Sequence, residues 1–297
     1  MSLHKPVSDP WILVTNDDGV DSPAVPLLLR ELSRIAPVRG VLPASECSWT
    51  GKIMSRFAAL RPRRATAAEN GAYEVWVVDG YPADCANLGI HTLFPTRPAL
   101  VVSGINLGTN AGLAYLLSSG TVGAAVEGML GGIPAAAFSV HLNAVDYDRW
   151  RRDRVATPQV LALLGHAAVV TREIVEELLD RGMPGDASVL TVNMPSTTKP
   201  ATPRRLARVT RTEYGAYFVP SASGRYEYGF SGVRVTEPIV DGDLAALERG
   251  EVTLSPLRFV LDATVTEADR SRFERVEQAD AHAGGRLSRE NEPVARK

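Results

Sequence analysis

The sequence predicts an α/β protein: a mostly parallel sheet with helices on both faces. Three observations predict it. Short, continuous apolar runs at Ile12 to Val14, Val38 to Leu42, Glu74 to Val78, Leu100 to Val102 and Ala135 to Val140 have the character of strands buried on both faces. Stretches with helical spacing alternate with them, as a parallel sheet requires. Polar or glycine-rich loops follow several of the runs, at the strand edge where ligands bind in open α/β sheets.

The first run ends in Asn16, Asp17, Asp18 and Gly19. Two adjacent carboxylates repel each other, and a hard divalent cation such as Mg²⁺ relieves that repulsion. The plainer alternative is a turn and helix cap, since Asp-Gly is a common turn signal. A helix is predicted over Ala24 to Ile35, with Val25, Leu28, Leu29 and Leu32 on one face and Ser22-Pro23 at its start. The strand at Val38 leads to the polar loop Pro43 to Gly51, which carries Cys47, Ser48 and Trp49. Arg56 to Arg64 is basic and irregular. Asp79-Gly80 closes the next strand, and Pro82-Ala83-Asp84 opens a helix. Leu100 to Val102 runs into Ser103 to Gly112, a loop whose three glycines and two asparagines let backbone amides approach a ligand. Ser118 to Thr121 precedes a small-residue helix, Val122 to Leu130, whose N-terminus is a natural phosphate seat.

The second half has a different character. Thr157 caps the longest predicted helix, which runs to about Arg181 and stops at Gly182. Ser188 to Asn193 is the last core strand, and the arginine-rich Arg205 to Arg211 suits a sheet edge. Thr212 to Tyr228, rich in Tyr, Gly and Ser, reads as an irregular hairpin or loop region. A short helix between Val240 and Gly250 leads to a strand at Val252, and Arg258 to Val265 reads as one more strand. The expected organisation is a core over 1–200, an extension over 201–276 and a disordered tail over 277–297.

The totals narrow the function classes. The 297 residues are 45% apolar and 22% charged, an ordinary globular composition. A net charge of −2 gives no electrostatic case for a nucleic-acid polymer. Cys47 and Cys85 are too few for a disulfide framework, which favours a reducing compartment. No apolar signal core or membrane span is legible, so the expectation is a soluble cytoplasmic protein. No G-x-G-x-x-G follows the first strand, and Gly51-Lys52 lacks the upstream glycine of a P-loop. His91, His141 and His166 have no metal-spaced partner and receive no role. Cys47 and Cys85 read as a bystander thiol and a core residue.

If the strands are neighbours, the Asp17-Asp18, Ser48 and Asn106 loops open onto one edge, with Thr121 and its helix start beside them. Carboxylate, hydroxyl and amide oxygens make an acceptable hard-metal shell, and an adjacent phosphate fits metal-assisted hydrolysis. Four motifs, T-N-D-D-G at Thr15 to Gly19, G-Y-P-A-D-C at Gly80 to Cys85, S-G-I-N-L-G-T-N at Ser103 to Asn110 and S-G-T-V-G-A-A-V-E-G at Ser119 to Gly128, occur in the order found in the SurE family. The sequence resembles these metal-dependent 5′/3′-nucleotidases most closely over Trp11 to Val140; Asp241 to Pro256 resembles the family's acidic short helix, strand and S-P-L.

The resemblance implies a Rossmann-like core and a C-terminal extension that exchanges between subunits of a homodimer or homotetramer. It implies a divalent metal, Mg²⁺ or Mn²⁺, on Asp17, Asp18, Ser48 and Asn106, with one of the two aspartates also handling the proton of the attacking water. It places Asn16, Asn110, Ser119, Gly120 and Thr121 around the phosphate of a phosphorylated small-molecule substrate. Departures bear on that substrate. Leu42-Pro43 stands for the usual A-P, Trp49 where glycine is usual, Ser118 for a tyrosine and Asp21 for a frequent histidine. Trp49 is expected to reshape the pocket wall or stack on a base or sugar. A sugar phosphate or phosphorylated secondary metabolite is the alternative substrate, and a non-catalytic nucleotide-binding protein the alternative class.

Overall fold

A computed structural model describes residues 10–70, 72–230, 232–260 and 262–275. The tail expected over 277–297 lies outside the described residues. Strands β1 (Ile12–Thr15), β2 (Val38–Pro43), β3 (Arg63–Arg64), β4 (Glu74–Val78), β5 (Leu100–Leu107), β6 (Ala135–Val140), β7 (Val189–Met194) and β8 (Arg204–Leu206) are followed by β9 (Arg211–Glu213), β10 (Phe218–Pro220), β11 (Tyr226–Tyr228), β12 (Arg234–Glu237) and β13 (Val252–Leu257). The helices are α1 (Ala24–Leu32), α2 (Pro82–His91), α3 (Leu113–Ser118), α4 (Gly120–Leu130), α5 (Ala144–Asp153), α6 (Pro158–Arg181), α7 (Asp243–Glu248) and α8 (Glu267–Phe273). Residue contacts divide the chain after Arg258, with α8 in the short segment beyond.

The central sheet has the order β3-β4-β2-β1-β5-β6-β7-β13-β8. Its middle, β4-β2-β1-β5-β6-β7, is parallel throughout. The chain moves outward from β1 through β2 to β4, then returns to place β5 on the other side of β1. That reversal creates a crevice between the carboxyl ends of β1 and β5, where doubly wound folds bind ligands.

The pleat explains why β1 is wholly buried. Ile12 and Val14 join the core that contains α1 and α6, while Leu13 meets Gly89 of α2 on the opposite face. Helices α1 and α6 pack together, as do α2 and α4. Helix α4 is a close-approach element: a Cβ on Gly123 would lie 2.2 Å from the Gly51 carbonyl oxygen. Only glycine lets the helix sit that near the Ser48 loop.

Several elements differ from the sequence reading. Strand β5 continues through Asn106 instead of ending in a loop after Val102. Its pairing with β6 shifts register between Ser103 and Asn106, at Gly104 with φ +127°. The two-residue β3 forms in the basic stretch by antiparallel pairing with β4. Arginine-rich β8 is the sheet edge, as expected, but ends at Leu206. Strand β13 enters the main sheet antiparallel to β7, so the region after residue 200 contributes two strands, β8 and β13, to the main sheet. Thr212 to Tyr228 contains parts of two ribbons, β9–β12 and β10–β11. The described residues of 258–265 form no strand. Helices α3 and α5 carry no sequence expectation; α5 matters most for the site.

Candidate functional site

Asp17 and Asp18 stand at the carboxyl end of β1, on the switch-point crevice, and both are buried. Asp17 accepts from the Thr121 hydroxyl at 2.6 Å and the Thr121 N–H at 3.2 Å, so the start of α4 fixes its orientation. Asp18 Oδ2 accepts the Leu107 N–H at 3.0 Å. Burial raises the Asp17 carboxyl, opposed by the two Thr121 hydrogen bonds. Burial and the neighbouring Asp17 charge push Asp18 up to about 7, against the pull of the Leu107 N–H, the Arg154 charge and the Trp150 indole.

The loop after β2 is tied to this pair. The Cys47 N–H donates to the Asp17 carbonyl at 2.7 Å, and the Gly51 N–H donates to the Ser118 carbonyl at 2.8 Å. Between those anchors, Ser48 donates to Glu46 at 2.5 Å. Asn106 donates through Nδ2 to the Gly108 carbonyl at 3.2 Å, which leaves its amide oxygen for a ligand. Asp17, Asp18, Ser48 and Asn106 line one cavity of about 400 Å³, within the usual range for small-molecule sites.

Among the described residues no three His, Cys, Asp or Glu side chains are grouped to hold a metal ion. The donors brought together are two carboxylates, a hydroxyl and an amide oxygen. Such a set fits a hard cation such as Mg²⁺ or Mn²⁺, and the mutual repulsion of the buried carboxylates gives the cation an electrostatic purpose.

Of the residues expected around the phosphate, Asn110 and Ser119 line the cavity, whereas Asn16, Gly120 and Thr121 are absent from its lining. Thr121 is fully buried, and both its donors serve Asp17. Asn16 is equally buried and holds the turn through a 2.9 Å bond to the Gly19 carbonyl. The Val122 N–H at the start of α4 is capped by Ser119 Oγ at 3.1 Å. The helix start therefore orients a carboxylate, and a phosphate would meet Ser119 and Asn110 before Thr121. Asn110 is itself fixed, donating to Ser139 Oγ at 2.8 Å and, through its N–H, to Asn193 Oδ1 at 2.8 Å.

Trp49 lies 40% exposed at the mouth with φ +60°. Its ring centroid is 5.8 Å from Tyr115, 5.5 Å from Tyr214, 5.5 Å from Tyr217 and 5.7 Å from Phe230. Tyr214, from β9 and its following turn, reaches Ser118 and the Ala114 carbonyl with its hydroxyl. The small side chain at 118 leaves room for that approach. The extension is thus joined to the pocket wall, and buried Asp243 fastens it by accepting the Gly112 N–H at 2.8 Å and the Thr210 N–H at 2.9 Å.

The sequence reading missed one wall. Tyr147, Trp150, Arg151 and Arg154 line the cavity from α5 and its C-terminal cap, as does His141 just after β6. The signal was present: Asn143 and Asp146 form a helix start, and positions 147, 150, 151 and 154 share one helical face.

Fold and site together define a doubly wound α/β protein with an oxygen-lined acidic cavity beside its topological switch point. The family model described as Survival protein SurE matches residues 12–217. A 5′-nucleotidase SurE from Methanoregula boonei is 36% identical over 263 residues, covering 88% of this chain and 96% of that one. One from Geobacter sulfurreducens is 36% identical, with 84% and 88% covered. The crystal structure of the SurE protein from Aquifex aeolicus matches with a TM-score of 0.68 at 28% identity, covering 89% of this chain and 97% of that one. The chain belongs to the SurE family. Among the described residues, no helix is long and apolar enough to cross a membrane.

Proposed function

We propose that this protein is a divalent-metal-dependent phosphomonoesterase that hydrolyses nucleoside 5′- and 3′-monophosphates. The observation that carries this reading is the convergence of Asp17, Asp18, Ser48 and Asn106 on one cavity whose mouth is aromatic. Relatives named 5′-nucleotidase SurE support the substrate class. Asp17, Asp18, Ser48 and Asn106 would hold the cation, which supplies charge neutralisation at the phosphoryl oxygens and acidifies water. Thr121 holds Asp17 in place, while Ser119 and Asn110 are placed to contact the phosphate. One of the two carboxylates would take the proton of the attacking water. Trp49 and its aromatic neighbours would cover the base or the leaving group and exclude water.

With Mg²⁺ or Mn²⁺ present, a panel of nucleotides and sugar phosphates is expected to release phosphate, fastest from nucleoside monophosphates. Preference for a sugar phosphate would replace the substrate assignment. No release from any member would overturn the enzymatic reading and leave the nucleotide-binding one.

The proposed assembly is a homodimer or homotetramer. On the β10–β11 ribbon, Phe218 is 60% and Tyr226 73% exposed, an apolar surface suited to a second copy. Sedimentation velocity is expected to show a species of two or four chains; a monomer at tens of micromolar would exclude this.

A further inference from the structure

Charge balance around the phosphate requires a group that the SurE motifs do not supply. A divalent cation with two ionised aspartates is neutral overall, so a dianionic phosphate together with the lining Glu46 carboxylate would leave the cavity with three uncompensated negative charges. The transition state of phosphoryl transfer carries its negative charge spread over the phosphoryl oxygens, where a fixed cation stabilises it. His141 lines the cavity, but burial lowers its pKa and favours the neutral ring. The cationic side chains lining the cavity, among the described residues, are Arg151 and Arg154.

Of the two, Arg154 is the one tied through Glu46 to the Ser48 loop. It occupies the C-cap of α5 in the left-handed region, φ +53°, where glycine is the usual residue. Its guanidinium lies 5.2 Å from the ring centroid of Trp150, which is buried. It also forms an ion pair with Glu46, and Glu46 accepts the Ser48 hydroxyl. This chain of contacts carries the arginine to the loop that bears a proposed cation donor. Arg152, by contrast, bonds back to the Asp148 carbonyl of its own helix and does not line the cavity.

We propose that Arg154 is the phosphate-binding cation of this site, held at the cavity wall by Glu46 and Trp150 and binding the phosphoryl oxygens of the substrate. The inference rests on the phosphomonoesterase reading for its role in turnover, but anion binding tests it separately.

The test uses the full chain loaded with Mg²⁺: wild type, Arg154→Gln, Arg154→Lys, Arg151→Gln and Arg152→Gln. Turnover is measured on nucleoside monophosphates, and inorganic phosphate binding is measured by titration calorimetry. Arg154→Gln is expected to lose roughly 100-fold in kcat/KM. It should also bind phosphate at least about tenfold more weakly, while Arg154→Lys recovers part of both losses. Arg152→Gln should stay within about twofold of wild type. Mg²⁺ affinity and thermal midpoint should be the same in Arg154→Gln as in wild type.

An active wild type whose Arg154→Gln variant keeps both activity and phosphate affinity overturns the assignment. So does a loss that follows Arg151 instead, or an Mg²⁺ affinity that falls in parallel with activity. A wild type without turnover, but with phosphate binding that Arg154→Gln weakens, would refute the phosphomonoesterase reading and support the anion site.

Discussion

Asp17→Asn is expected to lower phosphate release by about 1,000-fold or more, equivalent to about 4 kcal/mol of barrier. Asparagine keeps the size of the side chain and an oxygen for the Thr121 hydroxyl. It removes one of the two charges that would hold the cation. The side-chain amide would also face the Thr121 N–H or hydroxyl with a donor in place of an acceptor, since Asp17 receives both groups on its two oxygens. The measurement is steady-state turnover beside Mg²⁺ affinity. The metal assignment predicts that both fall together; full activity in the variant would refute it. Thr121→Val offers a milder comparison, because it deletes the 2.6 Å hydroxyl contact but leaves both carboxylates.

The second large effect concerns stability without metal. Asp18 titrates near 3.8 when unperturbed and is pushed up to about 7 in the fold by burial and the Asp17 charge. A carboxylate with a raised folded pKa favours the protonated fold. Its destabilising contribution is absent below about pH 4, grows as pH rises and is complete above about pH 7. Asp17 is raised by the same burial, so the two carboxylates titrate as a pair and both contribute in this direction.

In EDTA, denaturant unfolding from pH 4 to 8 should show wild type losing stability relative to Asp18→Asn as pH rises. The comparison with the variant removes the opposite trend expected from ion-paired acids such as Glu251, which Arg205 holds low. Added Mg²⁺ should stabilise wild type most at the alkaline end, where the carboxylates are charged. Parallel pH profiles for wild type and Asp18→Asn in EDTA would show that the repulsion is not stored in the folded site.

Much of the site could be read locally because each part lies at or just beyond the carboxyl end of a buried strand. The apolar run before Asp17 fixes a strand, and Gly19 fixes the turn, so the carboxylates must emerge at a strand end. Ser48 and Asn106 follow from the same local logic. Thr121 shows where that logic ended. A threonine at a helix start reads as a phosphate contact, but the partner that takes its donors is 104 residues away.

The α5 wall was missed for a different reason. Its residues 147, 150, 151 and 154 share a helical face, yet the face is polar and aromatic instead of apolar. A hydrophobic-period reading passes over such a face. Trp49 was legible as a bulky departure from glycine, but its neighbours come from α3, from beyond β9 and from beyond β11. No local pattern could assemble them.

By itself, the sequence determined the alternation of buried strands and helices, the parallel core and the oxygen donors at successive strand ends, because those features depend on spacing within one segment. Only the tertiary structure decided which donors share the cavity, which are spent on positioning a carboxylate, and which arginines line the cavity wall. Those outcomes depend on the reversal of strand order beside β1 and on contacts between distant segments, where burial and charge act across space.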